Sequence, residues 1–224
     1  MKTEEFRDDS PTEVPVRGFL HRSPSVKPGT KDNDWLVLTH GAGSNCKAPL
    51  LVALADSFCA SGWTVLRCDL PFRQMRPHGP PPRGSAERDQ QGLAAAVACA
   101  RRQTSGRVFL GGHSYGGRQA SILAADQPEL VDGLLLLSYP LHPPQKPGEL
   151  RTAHFPRLRT PALFVSGTSD GFGSIDELGL ALTLIPARTE LLSVTGAGHE
   201  LLGKKNRDEL METVVKTFQR FEAA

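Results

Sequence analysis

The residues Gly112-His113-Ser114-Tyr115-Gly116 follow directly on the apolar run Arg107-Val108-Phe109-Leu110-Gly111. Small residues two before and two after a serine let neighbouring backbones close around a sharp strand-to-helix turn, so that the hydroxyl projects from a strained elbow. A strand must enter this turn and a helix must leave it. Gly117 to Asp126 reads as that helix. Its first amides and its dipole would favour negative charge developing beside Ser114, which suits acyl transfer. The plain alternative is a serine that only caps the helix. The choice between them depends on whether an oxyanion loop lies upstream and an acid and a histidine lie downstream.

The rest of the chain alternates strand and helix patterns. Trp35-Leu36-Val37-Leu38-Thr39 is a continuous apolar run of the kind buried on both faces of a sheet. Thr64 to Cys68, Arg107 to Gly111, Leu134 to Ser138, Ala162 to Ser166 and Glu190 to Val194 read similarly, and Val16 to His21 forms a short early strand. Helices are expected over Pro49 to Ala60, with the proline in the first turn, and over Ala86 to Arg102, Tyr115 to Ala125 and Ser174 to Leu184. A closing amphipathic helix runs from Lys204 to Phe221 and carries Leu210, Val214, Phe218 and Phe221 on one side. Ser23 to Asp34 reads as a hairpin or loop. Leu70 to Ser85, with Pro80-Pro81-Pro82, reads as a long surface loop, and Pro140 to Pro156 is a second proline-rich stretch. This alternation predicts one α/β domain over residues 1–224. Its sheet is mainly parallel and doubly wound, with helices on both faces and no large lid.

Ser114 needs a base within hydrogen-bond reach and a group that fixes the base's tautomer. His199 is the best base, because Thr195-Gly196-Ala197-Gly198-His199-Glu200 forms a tight small-residue loop after the last strand. His40 and His113 are more simply explained by loop and elbow packing. Asp170, in Ser166-Gly167-Thr168-Ser169-Asp170-Gly171, stands just past a buried strand and is the favoured acid, with Asp176 and Glu177 as substitutes. The chain order Ser, Asp, His matches one hydrolase fold. The loop His40-Gly41-Ala42-Gly43-Ser44-Asn45 ends the strand before the first helix, so the backbone amides of Ala42 and Tyr115 are expected to form the oxyanion hole.

Ser114, Asp170 and His199, together with His40-Gly41-Ala42-Gly43, resemble the α/β-hydrolase superfamily along nearly the whole chain. The compact length and Tyr139-Pro140-Leu141-His142-Pro143-Pro144-Gln145-Lys146-Pro147 are similar to the dienelactone-hydrolase-like subgroup, although dienelactone hydrolases carry a cysteine nucleophile where this chain has Ser114. The resemblance implies a serine hydrolase cleaving a small or medium carboxylic ester, with thioesters and short peptides as other substrates. An acyltransferase or perhydrolase would use the same nucleophile. A non-catalytic interaction protein retaining the fold is the reading from another class.

Substrate choice is expected to depend on what overhangs Ser114. Phe72, Met75, Tyr139 and His142 follow strand carboxyl ends, where open α/β sheets place ligands, and could line an acyl pocket. Arg73, Arg76, Arg83 and Arg88 could attract an anionic substrate group, but surface arginines in such a loop are usually solvated. A net charge of +2 gives no nucleic-acid or membrane footprint. The charged opening Met1 to Asp9 is unlike a secretory signal, and no segment is long and apolar enough to span a bilayer. Cys46, Cys59, Cys68 and Cys99 show no paired spacing, which predicts reduced, buried thiols and neither a metal site nor a disulfide framework. The expectation is a cytoplasmic enzyme that needs no cofactor or metal.

Overall fold

The computed structural model describes residues 2–10, 14–23, 33–203 and 206–223. Its single sheet contains β1 (Lys2–Asp8), β2 (Val16–Arg22), β3 (Trp35–Thr39), β4 (Thr64–Cys68), β5 (Val108–His113), β6 (Gly133–Leu137), β7 (Ala162–Gly167) and β8 (Thr189–Val194). The strand order is β1-β2-β4-β3-β5-β6-β7-β8. β2 runs antiparallel to both β1 and β4, and the pairings from β4 through β8 are parallel.

The central strands β3, β5, β6 and β7 are buried along their length and almost wholly apolar because the sheet is covered on both faces there. With a side-chain period of two, alternate residues of each run enter different cores. Trp35 and Val37 of β3, with Leu110 and Leu134 of the neighbouring strands, pack with α3 (Ala86–Arg101), α4 (Tyr115–Asp126) and α5 (Ile175–Leu182). Leu36, Leu38, Phe109 and Leu135 pack with α1 (Pro49–Ala60) and α6 (Arg207–Ala223). The doubly wound architecture is therefore the one the sequence predicts. Ser174 closes the N-terminus of α5 with a capping box, its hydroxyl accepting from Glu177 N–H while the Glu177 carboxylate accepts from Ser174 N–H.

Two segments differ from expectation. Lys2 to Asp8, to which the sequence pattern assigned no element, is an edge strand in full register with β2, from Lys2 opposite Arg22 to Asp8 opposite Val16. Its charges suit an edge, which must resist pairing with other chains. Leu70 to Ser85 is not wholly a surface loop either. Pro71 begins a short helix, α2 (Pro71–Met75), whose Phe72 and Arg73 are buried. A proline fits the first helical turn, where its missing N–H costs no bond. Part of the expected loop from Ser23 to Asp34, and the expected helix start at Lys204, fall outside the described residues. Among the described residues no helix is long and apolar enough to cross a membrane. All four cysteines are unpaired and buried.

Candidate active site

The carboxyl ends of β3, β5, β7 and β8 converge on one edge of the sheet and deliver His40, Ser114, Asp170 and His199 to it. Ser114 occupies the turn between β5 and α4 at φ 52°, ψ −115°, a left-handed backbone that a serine adopts only under strain. Its N–H donates to Leu137 O at 2.8 Å, which ties the elbow to β6. The flanking glycines are required by close approach. A Cβ on Gly112 would lie 2.7 Å from Gly117 N, and one on Gly116 would lie 2.5 Å from His40 O. No larger residue would let α4 start so tightly against β5 and β3.

The structure brings the three residues predicted from sequence into one hydrogen-bonded row. Ser114 Oγ lies 2.8 Å from His199 Nε2. His199 Nδ1 lies 2.9 Å from Asp170 Oδ2 and 3.0 Å from Oδ1. These partners assign the ring as the Nδ1–H tautomer, with Nε2 free to accept from the serine. The Asp170 side chain is 1% exposed and that of His199 19%, so the carboxylate is sealed while the imidazole meets solvent. Phe172 N–H donates to Asp170 Oδ1 at 2.9 Å, and the Phe172 ring lies over the imidazole with centroids 4.1 Å apart and planes 30° apart. The His199 loop passes directly over the end of β7, where Ser169 N–H donates to Ala197 O at 2.9 Å.

His40 and His113, set aside as bases, have well-defined structural places. His40 is fully buried; its Nδ1–H donates to Gly41 O at 2.8 Å and its Nε2 accepts from Leu70 N–H at 3.1 Å. Burial holds its pKa below the usual range, so the ring is neutral and both bonds are consistent with one tautomer. Gly41 O belongs to the same peptide as Ala42 N–H, so His40 fixes the plane of one expected oxyanion donor. The other, Tyr115 N–H, is the first amide of α4 and has no intrahelical partner. His113 Nε2–H donates to His199 O at 2.8 Å and so braces the histidine loop from the elbow side. Burial, above all, lowers its pKa as well.

Beneath the loop from His40 to Asn45 lies a polar cluster that the sequence did not signal as such. Fully buried Asp89 accepts from Phe72 N–H at 3.0 Å, Tyr115 O–H at 2.8 Å and Ser85 O–H at 3.2 Å. Burial and this carboxylate both raise the Tyr115 pKa. Arg73 is not a solvated anion-catcher. At 6% exposure it donates to four carbonyls: Ser44 O at 2.7 Å, Ala42 O at 2.8 Å, Gly79 O at 2.9 Å and Arg76 O at 3.0 Å.

The expected acyl-pocket residues are dispersed. Phe72 is fully buried, edge-on to Tyr115 and 5.7 Å from the His40 ring. Tyr139 is 2% exposed and donates its hydroxyl to Arg151 O at 2.6 Å. Both belong to the core on the α3 and α4 side, which corrects their reading as pocket walls. Aromatic rings at strand ends fill the core when the following chain folds back over them. Met75 is 57% exposed, and buried His142 donates from Nδ1 to Pro143 O at 2.8 Å. The sequence offered no signal for Phe172 as the ring over His199.

The sequence profile of the alpha/beta hydrolase domain family matches residues 32–223, and the chain belongs to that family. Solved structures share the fold at low identity. A serine hydrolase homologue from Coxiella burnetii is 18% identical with a TM-score of 0.75, covering 97% of this chain and 98% of its own. A dienelactone hydrolase from Anabaena variabilis is 19% identical with a TM-score of 0.72, covering 98% and 99%. A serine hydrolase from Xanthomonas campestris described as lacking a lid is 16% identical with a TM-score of 0.75, covering 99% and 95%. The family match supports a hydrolase, and these neighbours share its fold.

Proposed function

We propose that the chain is a serine hydrolase that cleaves small or medium carboxylic esters through an acyl-enzyme on Ser114. The observation that carries this reading is the continuous row from Ser114 Oγ through His199 to a sealed Asp170, with both links at or under 3.0 Å and the serine on a strained elbow. His199 Nε2 takes the hydroxyl proton as Ser114 Oγ attacks the ester carbonyl, and Asp170 stabilises the imidazolium. The amides of Ala42 and Tyr115 hold the oxyanion. Collapse expels the alcohol, which receives the proton from His199. Water then gives a proton to the same nitrogen and attacks the acyl-serine, releasing the acid and restoring Ser114. The exposure of the His199 side chain supports water as the acceptor rather than a second bound nucleophile.

An interaction protein on this fold would be free to let the row drift out of register, and the hydrogen-bonded geometry favours catalysis instead. Buried, unpaired thiols are in keeping with a cytoplasmic site of action. The test is hydrolysis of activated phenyl esters by the parent and by Ser114→Ala. Turnover is expected in the parent alone, and equal turnover in both would refute the mechanism.

A further inference from the structure

The two edges of the sheet are guarded differently. β1 is mostly charged, whereas β8 at the far edge reads Thr189-Glu190-Leu191-Leu192-Ser193-Val194 and carries neither lysine nor proline. Its single charge, Glu190, is paired by Arg220 of α6. Among the described residues β7 is the one strand beside it. Ala162 N–H donates to Arg188 O and Thr168 N–H to Val194 O, so the even-numbered residues turn their backbone towards β7. By alternation the N–H and C=O groups of Thr189, Leu191 and Ser193 point away from the sheet, a row that another strand can join.

Apolar and charged groups flank this row. Half-buried Leu191 packs on the α5 side, and half-buried Leu192 and Val194 pack on the α6 side. Leu180 of α5 is 74% exposed, and Leu184 just past the helix is 48% exposed. On the α6 side a groove of about 220 Å³ runs along the strand from Leu192 to Thr195 and is walled by Glu209, Leu210 and Thr213. Glu209 and Arg188 are both exposed, and neither forms an ion pair among the described residues.

We propose that β8 pairs antiparallel with β8 of a second copy of this chain, about a two-fold axis at Leu191. Leu191 then exchanges both hydrogen bonds with its own counterpart, and Thr189 stands opposite Ser193. An axis at Glu190 would set that carboxylate against itself, and one at Leu192 would oppose Leu191 to Ser193. The axis at Leu191 instead places Arg188 opposite Val194, beside the groove that holds Glu209, so opposite charges meet twice across the pair. On the other face it brings the exposed leucines of the two α5 helices together over Leu191. Six residues at about 3.3 Å each make an edge about 20 Å long. A helix, a sheet and a helix make it about 30 Å thick. Each copy would therefore cover about 600 Å², or about 1,200 Å² for both, the lower bound of a specific interface. That area suits a dimer of micromolar affinity. Because the pairing is antiparallel, the two Ser114 sites open at opposite ends of a continuous sheet.

Sedimentation velocity of the parent from about 1 to 100 µM is expected to show a monomer–dimer equilibrium. Leu191→Pro removes an outward N–H and no bond to β7, and is expected to be monomeric throughout. Leu180→Glu changes an exposed side chain that the monomer does not need, and is expected to raise the dissociation constant about tenfold or more. The axis is read by cysteine pairing, which the buried native thiols leave undisturbed. Opposed α-carbons of a hydrogen-bonded pair lie about 5.5 Å apart, within disulfide reach. Under mild oxidation Leu191→Cys is expected to cross-link to itself, and Thr189→Cys only when mixed with Ser193→Cys. A parent that stays monomeric at about 100 µM would overturn the proposal. So would a dimer unchanged by both Leu191→Pro and Leu180→Glu, or Thr189→Cys cross-linking to itself as fast as Leu191→Cys does.

Discussion

Replacing Arg73 by alanine tests how the loop from His40 to Asn45, which carries the proposed oxyanion donor Ala42, is held. The guanidinium is almost fully buried and spends its donors on the carbonyls of Ala42, Ser44, Arg76 and Gly79. Arg76 and Gly79 are exposed and would be rehydrated, whereas Ala42 and Ser44 are half-buried members of the loop. A hydrogen bond to a charged group contributes about 1.5–3 kcal/mol, so two partly screened losses come to about 2–4 kcal/mol. For a chain of this size that lowers the melting temperature by roughly 5–15 °C. Catalysis should suffer separately, because an oxyanion donor is worth about 10²–10³ in kcat and a loosened loop forfeits part of it. On a neutral ester such as p-nitrophenyl butyrate, Arg73→Ala is expected to lower kcat by about 10- to 100-fold with little change in KM. Arg73→Lys, a single point donor, should recover only a fraction. Unchanged kcat with a raised KM confined to anionic esters would refute the clamp and return Arg73 to substrate binding.

Three further outcomes follow from the geometry. His113→Phe keeps the ring volume but loses the bond to His199 O, and is expected to lower kcat about tenfold with stability nearly retained; equal kcat would mean that the histidine loop needs no brace. Gly116→Ala drives a methyl to within 2.5 Å of His40 O and should cost about 1–3 kcal/mol in urea unfolding, together with slower ester turnover. Burial raises the Glu222 pKa from 4.5 to about 7, so the folded state holds this proton more tightly than the unfolded chain. Its contribution to stability is present below about pH 4.5 and is lost as pH rises through about 7. Melting curves of Glu222→Gln across that window should lack a decline of about 1 kcal/mol seen in the parent, after discounting for partial exposure.

The hydrogen-bonded row of Ser114, His199 and Asp170 was legible because each member sits where the proposed chemistry would leave a local mark. Ser114 is framed by glycines, Asp170 lies just past a continuous apolar strand, and His199 lies in a small-residue loop after the last strand. The strands themselves were legible because a sheet covered on both faces needs unbroken apolar runs. β1 was not, since an edge strand with one apolar residue, Phe6, is specified by its partner β2 rather than by its own pattern. α2 was hidden by the proline and arginine content around it, which reads as exposed until Asp89 and the oxyanion-loop carbonyls are known to receive Phe72 N–H and Arg73. Phe72 and Tyr139 mark the same limit. A residue at a strand's carboxyl end can face the cleft or the core, and only the path of the following chain decides which.

In the proposed mechanism Ser114 is an activated nucleophile because His199 and Asp170 make it one. The most direct measurement is intact-protein mass after incubation with a fluorophosphonate, for the parent, Ser114→Ala and His199→Ala. One adduct on the parent, absent from both variants, is the predicted result. A folded parent without an adduct, or an adduct that persists in Ser114→Ala, would contradict it.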